Sequence, residues 1–477
     1  MTPGRLVLPA IRWRPESGFA HEEPRIDAAL AAGVGGFIVF GVPRARGDEI
    51  GEIIASIRRR AGRPLLIGAD LERGAGQQAR RLTDIPPPAA LASLGDEEAV
   101  AWAGRTTARE ALGLGINWVF APVADLDVDP RNPIIQTRSF GSDPESVARN
   151  VSAWVRAAQG EGVLACAKHY PGHGRTFQDS HDVVPTVDCD LAELTGTDLR
   201  PFKGAIEAGV ASIMTAHVRY PGWDPSGEPA TRSAVMLGHL RSVLGFGGLV
   251  VTDALVMQGA RAGLPDDEVV LAPILAGCDL LLYPPDPAGA VAVLQRAVEA
   301  EAKVADAVAA SLSRYQQFLG LTATRAPSFT ADPASERESR AIARRLLDCG
   351  LIRGTLPDLR GGVDLAIIDD DQESAHARGP SDLVRRDLAR AHAREGFGGQ
   401  RVILAFAEPR MSKGRAGFGA DSLAALAELA PAAALVVLFG HPRLVGEVPG
   451  AAPVLVAWHR QPLMQHAAAD WLLERIR

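Results

Sequence analysis

Eight short apolar runs punctuate the first 285 or so residues, at 5–11, 35–41, 64–69, 117–122, 163–169, 211–217, 248–253 and 278–283. Runs this short and continuously apolar are predicted as strands buried on both faces, the signature of a parallel sheet covered by helices. The stretches at 48–60, 97–114, 144–159, 198–208 and 266–276 have helical character, several with Asp or Glu early and Gly just past the end. Helix termini prefer that asymmetry. Eight strand–helix units predict a (β/α)8 TIM-type barrel, with an open doubly wound sheet as the rival. The deciding feature is polar: Asp70, Asp125, Lys168, His169, His217 and Asp253 sit at the C-terminal ends of the apolar runs. In a barrel those ends form one ring around one mouth.

A chain of 477 residues exceeds one ordinary barrel domain. The barrel is assigned to 1–321, and the Thr, Ala, Pro and Ser-rich TATRAPSFTADPAS marks a linker at 322–334. From 335 to 477 the strand-like DLAIID, RVILAFA, ALVVLFG and APVLVAWH alternate with helical stretches, which predicts a smaller α/β sandwich with a mostly parallel sheet.

Composition narrows the classes of function. With 47% hydrophobic and 22% charged residues the chain is globular, and its net charge of -7 is spread rather than blocked, so no nucleic-acid or anionic-membrane partner is expected. No segment reaches about 18 consecutive apolar residues, and the first apolar run is too short for a signal peptide's core, so a cytoplasmic protein without membrane insertion is expected. Cys166 and Cys278 lie in apolar runs as small buried hydrophobes, and no CxxC occurs among the four cysteines. There is no Gly-rich phosphate loop, and no cofactor is expected.

The densest polar stretch runs from Lys168-His169-Tyr170-Pro171-Gly172-His173-Gly174-Arg175 to Asp179-Ser180-His181. Pro and two Gly take it out of helix and strand, so His169 and His173 are not the four-apart helical pair that binds zinc, and no metal is expected. Asp179 and His181, two apart in a loop, allow the carboxylate to hold the imidazole and fix its tautomer, as an acid/base histidine requires. The bland alternative is a loop histidine beside a surface acid. Asp253 ends the run GGLVVTD, where a buried carboxylate is costly unless the mouth needs its charge; the alternative there is a helix cap. Trp102, Trp118 and Trp154 are read as packing, Arg58 to Arg60 as dipole complementation, and His441 and His459 as structural.

The segments NWVFAPVADLDVD, RSFGSDPESVA, LACAKHYPGHGRTFQDSH, IMTAHVRYPGWDPSGEPATRS and LRSVLGFGGLVVTDALVMQGA resemble glycoside hydrolase family 3, its β-N-acetylhexosaminidase branch in particular, and cover most of residues 30 to 285. VVLFGHPRLV and VLVAWH resemble the family's second domain more weakly. The resemblance implies a retaining hydrolase releasing terminal non-reducing β-linked N-acetylglucosamine, with Asp253 as nucleophile and His181, oriented by Asp179, as acid/base. It also implies that Asp70, Arg138, Lys168 and His169 bind the sugar; His217 joins them through its strand-end place. The partner expected is a small carbohydrate, an N-acetylglucosaminide such as a cell-wall fragment or chitooligosaccharide, as in peptidoglycan recycling.

One departure stands out. Where the branch carries Asp-x-Glu-Gly-Gly-x-Val-x-Arg, this chain has Asp70-Leu71-Glu72-Arg73-Gly74-Ala75-Gly76-Gln77-Gln78, so Gln78 replaces the arginine and Arg73 lies nearby. Sugar specificity therefore stays open against a β-glucosidase or β-xylosidase of the family, and an N-acetylglucosaminide phosphorylase is a further alternative. A non-catalytic sugar-binding protein would have lost Asp253, Asp179 or His181, all of which are present.

Overall fold

The computed structural model describes residues 2–41, 45–261, 263–371, 379–391, 399–409 and 413–476. The chain packs as two compact units, one of Met1–Thr83, Glu97–Asp129 and Ser139–Ala331, the other of Asp84–Asp96, Pro130–Arg138 and Asp332–Arg477.

In the first unit the apolar runs become β1 (Val7–Leu8), β2 (Ala10–Arg12), β3 (Gly36–Phe40), β4 (Leu66–Ala69), β5 (Trp118–Val119), β6 (Leu164–Tyr170), β7 (Ser212–Thr215), β8 (Leu249–Thr252) and β9 (Leu281–Leu282). Strands β2 to β8 form one seven-stranded parallel sheet in chain order. Its two edges meet. Val7 pairs with Leu281 in parallel, Val251 bridges to Leu280, and only Pro9 separates β1 from β2. The hydrogen-bonded ring therefore closes, and a helix follows each strand position: Glu23–Ala32, Gly47–Ala61, Glu97–Leu114, Pro144–Gln159, Leu199–Glu207, Ala234–Ser242, Asp266–Ala276, and finally Pro287–Ala300 with Ala302–Leu319. This is the expected TIM-type α/β fold.

Local chemistry explains several boundaries. Asp143, Asp286 and Ser233 each accept a backbone N–H at a helix start, satisfying donors the helix itself cannot. Gly33 and Gly62, at φ of 84° and 61°, end their helices in the left-handed region that glycine adopts without strain. The barrel is a packed core. Trp118 and Phe120 meet edge-on at 4.8 Å, and a Cβ on Gly68 would stand 2.5 Å from the Phe120 ring.

The stretch read as a linker behaves differently over 323–331. Its backbone hydrogen-bonds along the barrel, Ala323 N to Gly162 O, Ser328 N to Gly113 O and Ala331 N to Arg81 O. Phe329 docks where the Gly47–Ala61 helix lacks side chains: a Cβ on Gly51 would lie 2.2 Å from its ring.

The second unit contains β10 (Leu351–Arg353), β11 (Val363–Asp369), β12 (Gln400–Ala407), β13 (Leu435–Gly440) and β14 (Val454–Val456), ordered β10-β14-β13-β12-β11. All neighbours are parallel except β10, an antiparallel edge strand absent from the sequence reading. Segments 84–96 and 130–138 pack with this sheet and its helices, as where Gln461 Nε2 donates to Ile85 O (2.9 Å) and Arg345 pairs with Asp96 (2.8 Å). A single cut near residue 330 does not describe that packing. In this unit His459 Nδ1 lies 3.1 Å from Glu408 Oε1, and His441 Nδ1 accepts from Arg443 N.

Candidate active site

Parallel strands deliver every C-terminal end to the same face, where the chain is free to turn polar. Lys168, near the end of β6, is almost fully buried. A buried ammonium needs counter-charges, and it has two: Asp70 Oδ1 at 2.6 Å and Glu72 Oε1 at 2.7 Å, both from the loop after β4. Gln78 is also buried and spends both ends of its amide on backbone. Its Nε2 donates to Asp70 O (3.0 Å) and its Oε1 accepts from Gly41 N (2.9 Å). The residue that departs from the resembled pattern thus holds the Asp70 loop.

Asp125 follows β5 and is wholly inaccessible. Its carboxylate accepts from His169 N, His173 N (2.7 Å) and the His169 ring at Nδ1 (2.6 Å). Burial pushes its pKa up, and the neighbouring His169 and His173 with these hydrogen bonds outweigh that and lower it. The Lys168–His169 and Tyr170–Pro171 peptide bonds are cis.

Further along the same loop Asp179 is buried, and one oxygen, Oδ1, accepts both the His181 backbone N–H (2.9 Å) and His181 Nδ1 (2.6 Å). A carboxylate beside Nδ1 places the hydrogen there, leaving Nε2 as the nitrogen that takes or gives a proton. The His181 side chain stays about one third exposed.

Asp253, one residue past β8, is half-buried, and its Oδ1 accepts from Ala254 N (2.7 Å). Burial raises its pKa, yet His169, His217 and His181 together with the Ala254 N–H bring it down to about 2. The carboxylate is an anion at any physiological pH. His217, two residues past β7, contacts Thr231 Oγ1 at 2.7 Å and Ala254 O at 3.3 Å. Burial lowers its pKa to about 4, so it stands neutral beside the segment that follows Asp253.

The structure therefore joins Lys168 to Asp70, Asp179 to His181, and His217 to the Asp253 turn. Arg138 belongs to the second packing unit, where its Nη1 donates to Ile134 O (2.9 Å). From the sequence, Asp125 is one of the strand-end ring residues, but neither it nor His173 is assigned a part in the site. The burial of an acid inside APVADLDVD was the available signal for the first, since a buried carboxylate demands partners. Glu72, the other carboxylate of the Asp70 loop, pairs with Lys168.

The Glycosyl hydrolase family 3 N terminal domain matches residues 19–317. A "Beta-N-acetylglucosaminidase/beta-glucosidase" of Cellulomonas fimi is 36% identical over 240 residues, 48% of this chain and 43% of that protein. A "Beta-hexosaminidase" of Chromobacterium violaceum is 34% identical over 333 residues, 68% of this chain and 92% of that one. This chain thus spans under half of the first relative and nearly all of the second. Among solved structures, a glycoside hydrolase family 3 beta-N-acetylglucosaminidase from Paenibacillus sp. str. FPU-7 superposes with a TM-score of 0.82 at 26% identity, covering 100% of this chain and 96% of that one. Among the described residues no helix is long and apolar enough to cross a membrane. Matched along nearly the whole barrel and superposed along its own length, the chain belongs to glycosyl hydrolase family 3 and is a glycoside hydrolase.

Proposed function

We propose that the enzyme is a retaining β-N-acetylglucosaminidase that releases terminal non-reducing N-acetylglucosamine through a glycosyl ester on Asp253. The observation that carries this reading is the Asp179–His181 contact at 2.6 Å on a half-open loop. A retaining glycosidase needs a carboxylate nucleophile and a separate proton carrier. In the first step the ionised Asp253 attacks the anomeric carbon while His181 Nε2–H gives its proton to the departing glycosidic oxygen. Asp179 stabilises the imidazolium and holds the ring by Nδ1. In the second step neutral His181 takes a proton from water, whose oxygen attacks the same carbon and releases Asp253. Two inversions give net retention.

Asp70, Lys168, His169, His217 and Arg138 are the residues assigned to the sugar. Lys168, Arg138 and His169 supply donors for hydroxyl and acetamido oxygens, and Asp70 an acceptor. The names of the two relatives support the sugar, and that of the first adds β-glucosidase for that protein. The deciding experiment measures kcat/KM on the 4-nitrophenyl β-glycosides of N-acetylglucosamine, glucose and xylose. A site built to hydrogen-bond the acetamido group leaves its own polar atoms unpaired on the others, which discriminates by about a hundredfold or more. Equal values on the first two would remove the N-acetylglucosaminidase reading.

A further inference from the structure

On the loop that leads from β6 to the acid/base pair lies a buried imidazole with no part in bond making. His173 Nδ1 is 2.8 Å from Thr176 Oγ1 and Nε2 is 2.9 Å from Ser180 Oγ, the residue between Asp179 and His181. All three side chains are inaccessible to solvent. The hydrogens can be assigned by counting donors. The Thr176 hydroxyl donates its one hydrogen to His173 O (3.0 Å), so its oxygen receives the hydrogen on Nδ1. A neutral imidazole then has only an acceptor at Nε2, and the Ser180 hydroxyl donates to it. Neutrality is enforced by burial, with His169 close by, which takes the His173 pKa down to about 4.

The backbone of His173 is anchored just as firmly. His173 N donates to Asp125 Oδ1 at 2.7 Å, and Asp125 also grips His169 through Nδ1. The next residue presses the loop onto the strand-end segment: a Cβ on Gly174 would stand 1.5 Å from Leu126 O, so only glycine fits. On its far side Ser180 O accepts from Gly259 N (3.0 Å), in the segment that follows Asp253. The turn carrying the acid/base pair is thus strung between the Asp125 site and the loop behind the nucleophile.

We propose that His173 is a positioning residue, a neutral imidazole that uses the Asp125 anchor to set the Asp179-Ser180-His181 turn, and so the place of His181 Nε2, relative to the leaving oxygen. This rests on His181 being the acid/base. A group held within about half an ångström of its productive position depends on such supporting hydrogen bonds. The effect of losing them falls on proton delivery, which matters for an alcohol leaving group and hardly at all for a nitrophenolate.

The test compares kcat/KM for N,N'-diacetylchitobiose with that for 4-nitrophenyl N-acetylglucosaminide in the full chain. His173→Ala and His173→Asn should lower the disaccharide value at least about tenfold more than the aryl value, a difference of about 1.4 kcal/mol. Asn can replace Nδ1 but does not reach Ser180. His173→Gln, whose amide oxygen can accept from Ser180, should recover most of the loss on the disaccharide. Ser180→Ala removes the same hydrogen bond from the other side; it should show the same selectivity and serves if the His173 variants fail to fold. His181→Ala is the control. If it shifts the ratio while the His173 and Ser180 variants scale both substrates equally, the positioning role is overturned and the acid/base reading survives. If His181→Ala leaves the ratio unchanged, both fall together.

Discussion

Two aspartates at opposite ends of neighbouring barrel strands, Asp279 buried and Asp253 half-buried, differ in the company they keep. Asp279 precedes β9 at the N-terminal end and is saturated: Val250 N (2.8 Å), Arg241 Nη2 (2.6 Å), Ser311 Oγ (3.0 Å) and Arg314 Nε (2.8 Å) all donate to it. Asp253 ends β8 at the other face. Its carboxylate accepts from Ala254 N, feels three imidazoles, and among the described residues pairs with no lysine or arginine. Direct guanidinium contacts make an anion inert and a joint strong. Imidazoles and one amide keep it ionised while leaving oxygen lone pairs for a carbon atom. The same residue type is mortar at one end and, in the mechanism we propose, a reagent at the other, in keeping with the division of labour in such barrels.

The sharpest way to break the comparison is Asp253→Asn, which preserves volume and removes the anion proposed to attack. We expect kcat to fall by at least about a thousandfold, some 4 kcal/mol, with an unchanged melting curve. Retention of more than about a tenth of wild-type kcat, under about 1.4 kcal/mol, would take Asp253 out of the nucleophile's role.

Asp279→Ala should do the reverse, costing roughly 3 kcal/mol of stability because it leaves the buried Val250 N–H and Ser311 hydroxyl unpaired and strands two half-buried guanidinium groups. Denaturant unfolding gives that number. Activity per folded molecule should stay close to wild type, and a selective loss of kcat without destabilisation would erase the distinction between the two ends.

pH separates the ends more gently. His173 and His217 titrate near 4 when folded against 6.5 in the free side chain, so between those values the unfolded chain binds more protons. Their contribution is complete above 6.5 and is lost as pH falls, by up to about 1.4 kcal/mol per pH unit for each histidine. Asp253, with a folded pKa of about 2 against 3.8, loses its contribution only below about pH 4. Urea midpoints followed from pH 7 to 4 should fall less steeply in His217→Gln than in wild type; parallel curves would show that His217 is not buried neutral.

The smallest effect expected is at Gln78. Gln78→Ala frees the Asp70 backbone and should raise KM about threefold, well under 1 kcal/mol, with kcat within about twofold. A fall in kcat with KM unchanged would mean that Gln78 serves the transition state alone. Inorganic phosphate should not accelerate any of these enzymes if water is the acceptor, which a rate comparison with and without phosphate checks.

Much of this was legible beforehand for identifiable reasons. The helices Glu97–Leu114, Pro144–Gln159 and Asp266–Ala276 begin and end where their acidic starts and terminal glycines predict. The strands showed themselves because both faces are buried, leaving no polar alternation to disguise them. By contrast, the excursions 84–96 and 130–138 into the second unit carry no local mark, because membership of a core depends on what packs from elsewhere in the chain. The edge strand Leu351–Arg353 was hidden for the same reason: three half-exposed residues give no pattern until β14 lies beside them.

At the site, residue types and spacing along one loop were enough to join Asp179 with His181, since two residues in a turn cannot separate them far. They also put Asp70, Lys168, His217 and Asp253 at strand ends, because an apolar run that stops at a polar residue records where the barrel meets solvent. Only the tertiary structure decided which partners each would have. Lys168 meets Asp70 and Glu72 across about a hundred residues of sequence, Gln78 ties the Asp70 loop to Gly41, and Asp125 gathers His169 and His173. Closure of the ring brings these ends together, and hydrogen bonding and ion pairing act over a few ångströms of space regardless of distance along the chain.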